Sequence, residues 1–527
     1  MHTSFFIVIK WSLPLFIAIC ILLGIVYCAY GTGEDDADDT GSGSAVTSTD
    51  GTDDTETATS AESLDYTLSS NKKYYTVSGI GDVSSTSLVI PSEYGGLPVT
   101  GIADAAFCYN TTIQTVVIGE GVETIGDLAF AACTSLTSVT MPDSLTDMGT
   151  WTFSLCESLT SVTVPDNVEA VGEYAFSACT SLKTAVIGDG VTDVDGYAFY
   201  ACSSLKNLVI GDAVESIGEA AFMGCSSLES VTVPASVESI GEAAFGACDA
   251  LSSLSVAEGN GTFYSEGNCI MKSKDKEVAV GCVASEIPDD AESIGTYAFA
   301  GCTGLTALTL PASVTYIDDY AFMACTALES IEISAGLDSL GAYVFYQCTA
   351  LESITVDGDN ETYYSEGNCM IASDDKSVAL GCAASEIPED VTAIGTYAFA
   401  GCTTMESINL PDGITAIGGS AFYGCTALAG ITLPSNLETI GTYAFAECTG
   451  LTEITIPASA EEIYAYAFYN CSGLASVTFE DTDSWNTASS SSWWSTLFGG
   501  DEIDVTDPST NAENLTGTYL EYYWYKD

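Results

Sequence analysis

The motif Ala-Phe-x-x-Cys-x-x-Leu recurs with a 23-residue period along most of this chain. Two longer intervals, from Phe245 to Phe299 and from Phe345 to Phe399, carry insertions of equal length, after which the period resumes. The phenylalanines of the motif are Phe107, Phe130, Phe153, Phe176, Phe199, Phe222, Phe245, Phe299, Phe322, Phe345, Phe399, Phe422, Phe445 and Phe468. A fixed period of this length is typical of solenoids, in which each repeat packs only on its neighbours. The sequence therefore predicts one elongated array that offers surface rather than a catalytic cleft.

Acidic residues outnumber basic ones by 73 to 10, and all ten basic residues are lysines, which gives a formal net charge of −63. Binding to a phosphate backbone needs clustered Lys and Arg, so this balance excludes nucleic acid as a partner. An anionic bilayer surface would repel the same charge. Basic proteins and divalent cations are favoured as partners, although the charge can also serve only to keep a long protein soluble.

Histidine is almost absent, with His2 as the single example in the chain. Its scarcity excludes Ser-His-Asp and Cys-His nucleophile systems and any metal centre built on imidazole ligands. Paired carboxylates could still act as the acid and base of a glycosidase. With 73 acidic residues, however, such pairs arise by chance. The sequence therefore predicts a protein that is not an enzyme and carries no cofactor.

An uncharged and mostly apolar run covers residues 11–30, which is long enough to span a hydrocarbon core of roughly 30 Å. Lys10 precedes the run, and the next basic residue is Lys72, so the positive-inside rule places everything after residue 30 outside the cell. Residues 1–30 are thus a signal anchor or a cleaved signal peptide. The acidic, Gly/Ser/Thr-rich residues 31–61 are predicted to form a disordered tether, and the protein is expected at the cell surface, membrane-anchored or secreted.

Each repeat has the pattern of one coil. Counted from the phenylalanine, position +3 is Cys in 13 of the 14 repeats, with Asn110 as the exception. Apolar residues at +9 and +11 alternate with Ser or Thr at +8 and +10, which predicts a strand that the Pro or Gly at +12 ends. The stretch from +18 to the next phenylalanine predicts a turn into a short helical or 3₁₀ segment. The fold class is therefore a mainly β repeat solenoid, with Phe, Cys and Leu pointing inward.

The full consensus resembles the BspA-like class of leucine-rich repeats. Residues Ala175 to Pro234 and Ala398 to Pro457 show it well, and the resemblance covers roughly residues 88–480. It implies a bacterial or protozoan surface protein that adheres to host matrix or to other cells. The motif of this family fixes no binding residues, so the resemblance assigns none here.

The pattern divides the chain after the tether into three parts. Residues 62–106 are expected to cap the first coil, and residues 107–480 to form the solenoid. Beyond residue 480 the pattern ends and aromatic residues accumulate, which predicts a C-terminal cap over 481–527 or, alternatively, a carbohydrate-binding cluster. Its aromatic residues are Trp485, Trp493, Trp494, Tyr519, Tyr522, Tyr523, Trp524 and Tyr525.

The two insertions lie near residues 257–286 and 357–386, and we call them the islands. Each is predicted to be a hairpin that brings two cysteines opposite one another, Cys269 with Cys282 and Cys369 with Cys382. Whether each pair forms a disulfide or stays as two thiols is open. Both islands belong to a duplicated 100-residue block, and inserted loops of this kind are often binding faces. The cysteines at +3 are predicted to be buried thiols instead.

Two sets of polar residues are candidates for function. An acidic column at position +13 could bind calcium, or could reflect the preference of Asp for turns. Its members are Glu120, Asp143, Asp166, Asp189 and Asp212. An outward ladder of hydroxyls could meet a protein or glycan, or could be solvated Ser and Thr chosen for strand propensity. Its members are Ser138, Thr140, Ser161, Thr163, Ser230 and Thr232. The function predicted from these features is adhesion or recognition outside the cell, and the alternative is a structural coat or spacer protein.

Overall fold

The computed structural model describes residues 63–81, 85–483, 485–488 and 501–526. The predicted signal segment (1–30) and the tether (31–61) lie outside the described residues. Within the described ranges, no helix has the length and apolar character that a bilayer crossing requires.

Five strands open the described part of the chain: β1 (Asp65–Leu68), β2 (Tyr75–Gly79), β3 (Ser87–Ile90), β4 (Glu93–Tyr94) and β5 (Leu97–Ile102). β1 pairs antiparallel with β2, and β2 pairs parallel with β5. In β3, Leu88 pairs with Val116 of the next coil, a wider offset than in the later pairs, so this first coil is longer than those that follow. Tyr66 and Tyr94 stack over it with ring centroids 3.9 Å apart.

A longer strand lies at positions +8 to +11 of most coils, as the alternating pattern predicts. After β3 these strands are β6 (Thr115–Ile118), β8 (Ser138–Thr140), β10 (Ser161–Val164), β12 (Thr184–Ile187), β14 (Asn207–Val209), β16 (Ser230–Val233), β18 (Ser253–Val256), β23 (Ala307–Thr309), β25 (Ser330–Ile333), β27 (Ser353–Val356), β34 (Glu453–Ile456) and β36 (Ser476–Phe479). They form five parallel sheets of two or three strands, and after β3 the paired strands are offset by one repeat, as in Ser161 with Thr184. Two further coils share the bridge between Asn409 and Thr432. The predicted solenoid of 23-residue coils is confirmed.

A second parallel ladder of two-residue strands runs along another side of the coils, at positions +17 and +18. It was not predicted, because two residues are too few to show a periodic pattern. Its strands are β7 (Thr124–Ile125), β9 (Asp147–Met148), β11 (Ala170–Val171), β13 (Asp193–Val194), β15 (Ser216–Ile217), β17 (Ser239–Ile240), β22 (Ser293–Ile294), β24 (Tyr316–Ile317), β26 (Ser339–Leu340), β31 (Ala393–Ile394), β32 (Ala416–Ile417), β33 (Thr439–Ile440) and β35 (Glu462–Ile463).

The segment around each phenylalanine forms hydrogen-bonded turns rather than the short helical or 3₁₀ segment that we expected. In the coil of Phe130, Leu128 and Ala132 adopt left-handed conformations with φ of 58° and 57°. The N–H groups of these two residues and of Phe130 donate to carbonyls of the next coil at 2.7–2.9 Å. A left-handed residue ends a right-handed helix, and the hydrogen bonds between coils offset its strain of about 1–2 kcal/mol.

The phenylalanines form the centre of the core. Neighbouring rings stack nearly parallel with centroids 4.9–5.5 Å apart, in three runs that end at the islands. In eleven coils the Cys Sγ–H donates to the carbonyl oxygen of the preceding coil's phenylalanine at 3.0–3.4 Å. The thiols at +3 therefore satisfy a backbone carbonyl as well as filling space.

Each island is a three-stranded antiparallel meander rather than a two-stranded hairpin. The first consists of β19 (Phe263–Glu266), β20 (Cys269–Lys272) and β21 (Glu277–Val280), and the second of β28 (Tyr363–Glu366), β29 (Cys369–Ala372) and β30 (Ser377–Leu380). The third strand of each pairs in parallel with the next short strand, β22 or β31. The islands are therefore part of the solenoid wall, and the sequence pattern missed the additional strand because the turn before Cys269 is very short.

The chain closes its last coil with aromatic residues. The elements are β37 (Trp485–Ala488), β38 (Asp501–Glu502), the helix α1 (Pro508–Glu513), a single π-helical turn (Asn514–Thr518) and β39 (Tyr523–Lys526). β39 pairs antiparallel with β35 and β37. The indoles of Trp485 and Trp524 are buried, and Trp485 meets Phe479 edge to face at 5.0 Å. These two rings cover the end of the core, so they offer no ring face to a sugar.

Candidate binding surfaces

The outward side of the long strands carries an uncharged strip, which we call the hydroxyl face. The seven strands from β6 to β18 place fourteen residues outward, and none is charged. They are Thr115, Val117, Ser138, Thr140, Ser161, Thr163, Thr184, Val186, Asn207, Val209, Ser230, Thr232, Ser253 and Ser255. An uncharged surface loses its water at low cost, and charged residues are depleted at the centres of protein interfaces. In a chain with a net charge of −63, a strip of fourteen outward residues without a charge is a candidate for close contact.

All six hydroxyl residues singled out in the sequence lie on this face and are exposed. Some hydroxyls of the face bond one another between coils, as Thr232 Oγ1 and Ser255 Oγ do at 2.9 Å. Three valines also lie here, and two of them, Val117 and Val209, are 43% and 52% exposed. The sequence analysis missed these valines, although they occupy positions of the strand that alternate with the inward-pointing ones.

The acidic column is exposed at every one of its five positions. Asp166 uses its carboxylate to accept the backbone N–H of Asp189 at 3.0 Å, which is a turn contact and not ion binding. Among the described residues, no three His, Cys, Asp or Glu side chains come together in a way that could hold a metal. Calcium binding by this column therefore stays a prediction that no donor cluster supports.

The four island cysteines are buried. Cys282 Sγ lies 3.8 Å from the carbonyl oxygen of Asn268, and Ser285 Oγ donates to Cys282 Sγ at 3.5 Å. Burial raises the pKa of Cys269 to about 12 and that of Cys369 to about 11. Neutral, buried thiols react slowly, since the thiolate is the nucleophile. The two disulfides stay a prediction.

Alkylation of the full-length chain tests the state of these cysteines. We expect iodoacetamide at pH 8 to leave Cys202 and Cys248 unlabelled in the folded protein, because burial raises the pKa of both thiols. The half-buried Cys108 is the control and should label faster than Cys202 and Cys248. Mass spectrometry after unfolding would show any Cys269–Cys282 bond as the loss of two hydrogens. Labelling of Cys202 as fast as that of Cys108 would contradict a sealed thiol core.

A stripe of stacked aromatic residues lies at position −2 of the coils. Trp151 and Tyr174 stack at 4.0 Å, Tyr174 and Tyr197 at 4.7 Å, and Tyr297 and Tyr320 at 4.8 Å. The stripe was missed, although Tyr occupies this position in eight of the 14 repeats. The eight are Tyr174, Tyr197, Tyr297, Tyr320, Tyr343, Tyr397, Tyr443 and Tyr466. All eight tyrosines have a left-handed backbone conformation with φ of 55–63°, which non-glycine residues adopt rarely.

Comparison with known proteins identifies the repeat. A family described as "BspA type Leucine rich repeat region (6 copies)" matches residues 100–227, 192–269, 282–372 and 381–492, well over half of the chain. The match breaks between residues 269 and 282 and between 372 and 381, and both breaks fall inside the islands. No curated protein matches the chain.

Several solved structures are similar to this chain. A leucine-rich repeat protein from Bacteroides ovatus is 26% identical over 75% of this chain and 94% of its own, with a TM-score of 0.45. A leucine rich cell surface protein from Faecalibacterium prausnitzii is 25% identical over 75% and 93%, with a TM-score of 0.43. A leucine-rich repeat protein from Eubacterium ventriosum is 20% identical over 78% of this chain and 93% of its own, with a TM-score of 0.46.

Proposed function

Because the chain belongs to the BspA-type leucine-rich repeat family, we propose that it is a non-enzymatic recognition protein of the cell surface or the extracellular space. Its ligand is a protein or a glycan outside the cell, and the contact is made by the hydroxyl face. The observation that carries the proposal is the absence of charge from all fourteen outward positions of β6 to β18, in a chain with 73 acidic residues.

The chemistry of the face fits adhesion better than catalysis. Its hydroxyls donate and accept hydrogen bonds, and Val117 and Val209 add apolar area between them. The surrounding acidic residues repel anionic competitors, so charge contributes to the choice of partner. Residues 11–30 serve as the membrane anchor or secretion signal in this proposal, and residues 31–61 as the spacer between membrane and array.

Introducing a carboxylate into the hydroxyl face tests the proposal. Ser161→Glu and Ser230→Glu are each expected to weaken binding at least tenfold, because a carboxylate buried at an interface without a partner is costly to desolvate. The assay measures adhesion of beads coated with the full-length chain to immobilised matrix proteins and neutral glycans.

Ser239→Glu is the matched control. Ser239 is an exposed serine of the coil that contains Ser230, but it lies on the short strand β17 rather than on the hydroxyl face. It should leave adhesion unchanged, and equal losses from Ser230→Glu and Ser239→Glu would contradict a role for the face.

A structural coat or spacer is the second candidate. The stacked phenylalanines and the two sets of parallel strands join most neighbouring coils, which suits a protein whose task is to hold a distance. A spacer does not depend on the outward hydroxyls. Two results together would favour this role. The unmodified chain would show no adhesion, and the Ser161→Glu substitution would not change what the protein does at the cell surface.

A further inference from the structure

The solenoid wall is interrupted where the second island enters it. The sheet that contains β26 ends at that strand, and the next sheet of short strands resumes at β30. In neighbouring coils, the N–H of the phenylalanine donates to a carbonyl of the next coil. The acceptor is the alanine or valine that directly precedes the next phenylalanine, as when Phe322 donates to Val344 at 3.0 Å. Here Gly381 donates to the Ala398 carbonyl at 2.8 Å instead, so Phe345 loses that contact.

A cavity of about 380 Å³ occupies this interruption. Its volume lies within the range of roughly 300–1,000 Å³ that small-molecule sites occupy. Four tyrosines line it, Tyr343, Tyr346, Tyr363 and Tyr397, together with Ser377 and Thr396 among other residues. Among the described residues that line it none is charged, although the chain has 73 acidic and 10 basic residues. The cavity is therefore a neutral site within an acidic protein.

Three of the four tyrosines contact one another. Tyr343 donates its phenol hydrogen to Ser420 Oγ at 3.0 Å, its ring lies 4.4 Å from that of Tyr397, and Tyr346 stands perpendicular to it at 5.7 Å. Burial raises the pKa of Tyr346 to about 12 and also raises that of Tyr363. Both phenols are protonated at neutral pH, so each can donate and accept a hydrogen bond.

The first island provides an internal comparison, because it belongs to the same duplicated 100-residue block. Its residues at the positions of Tyr343, Tyr346 and Tyr363 are Ala243, Gly246 and Phe263. The backbone frame is the same in both islands, with β19 to β21 corresponding to β28 to β30. Three phenols are therefore specific to the second junction, and the fold alone does not require them.

We propose that the cavity at the second island binds one uncharged sugar residue. Aromatic rings offer faces to the C–H surface of a pyranose, while phenols, Ser377 and Thr396 offer partners to its hydroxyls. An anionic ligand would be repelled by the protein's charge, and a cationic one would find no carboxylate among the described lining residues. This site is separate from the hydroxyl face, so it goes beyond the recognition function proposed above.

Titration of the full-length chain with methyl glycosides of glucose, galactose, mannose and N-acetylglucosamine, followed by saturation-transfer NMR and calorimetry, tests the proposal. At least one neutral sugar is expected to bind. Tyr346→Gly, which copies Gly246 of the first junction, should weaken binding at least tenfold. Tyr363→Phe, which copies Phe263, should weaken it about 3–10-fold through loss of one hydrogen bond.

Tyr200→Gly is the matched control for Tyr346→Gly. Tyr200 directly follows Phe199 as Tyr346 follows Phe345, and it meets Tyr197 edge to face at 5.8 Å. It should leave sugar binding unchanged. The absence of binding by every sugar, or equal losses from Tyr200→Gly and Tyr346→Gly, would overturn the proposal. If Tyr346→Gly does not fold, Tyr363→Phe decides alone. Ser230→Glu should not affect sugar binding, which separates this site from the hydroxyl face.

Discussion

Replacing Phe199 by alanine is expected to lower the free energy of unfolding by about 3–5 kcal/mol. Its ring is fully buried and stacks between Phe176 and Phe222, with centroids 5.2 and 5.3 Å away. The cavity left behind cannot collapse, because the hydrogen bonds of the turns and both strand ladders fix the spacing of the coils. Urea unfolding gives the overall loss, and hydrogen exchange locates it in the coils on either side.

Val209→Ala is the control for this substitution. Val209 belongs to the same coil but is 52% exposed on the outward side, so its truncation should change stability by less than about 0.5 kcal/mol. A loss below about 1 kcal/mol for Phe199→Ala would mean that the ring stack is not what holds adjacent coils together.

Gly381→Ala is expected to destabilise the protein by about 3 kcal/mol, at the upper end of the usual cost of overpacking. A Cβ at this position would lie 2.1 Å from Cε1 of Phe399, far inside van der Waals contact. The ring cannot move aside, because Phe422 stacks on it at 5.3 Å. Thermal and urea unfolding of the variant measure the loss.

Two further variants isolate the cause of this effect. Phe399→Leu replaces the ring with a smaller side chain, so the double variant with Gly381→Ala should lose less stability than the sum of the two single losses. Gly430→Ala is the control, since no atom lies within 4 Å of the Cβ it would gain. Additive losses in the double variant would show that the clash between Gly381 and Phe399 is not the source of the instability.

The period alone was enough to predict the coil and its core. A 23-residue repeat with Phe, Cys and Leu in fixed positions leaves one arrangement in which stacking buries all three, and the structure confirms it. The long strands followed in the same way, because their alternation of apolar and hydroxyl residues, as in Ser161–Val164, has the period of a strand.

Other features depend on contacts between coils that a single repeat does not show. The left-handed tyrosines go against local propensity, and the hydrogen bonds to the next coil outweigh that preference. The thiol of Cys133 could be placed inward from the sequence, but its bond to the carbonyl of Phe107 in the preceding coil depends on the stacking distance. The cavity at the second island arises from a difference between two copies of one block, so it becomes visible only when Tyr343 is compared with Ala243.

The glycine contact at the islands also determines how such a protein can change its length. Gly281 meets Phe299 as Gly381 meets Phe399, each with a prospective Cβ 2.1 Å from the ring. The two boundaries therefore share this glycine–phenylalanine contact, although three tyrosines near the second boundary correspond to Ala243, Gly246 and Phe263 near the first. Insertion or deletion of a whole 100-residue block at these boundaries would thus change the number of coils that precede the aromatic C-terminal elements while keeping this glycine–phenylalanine contact.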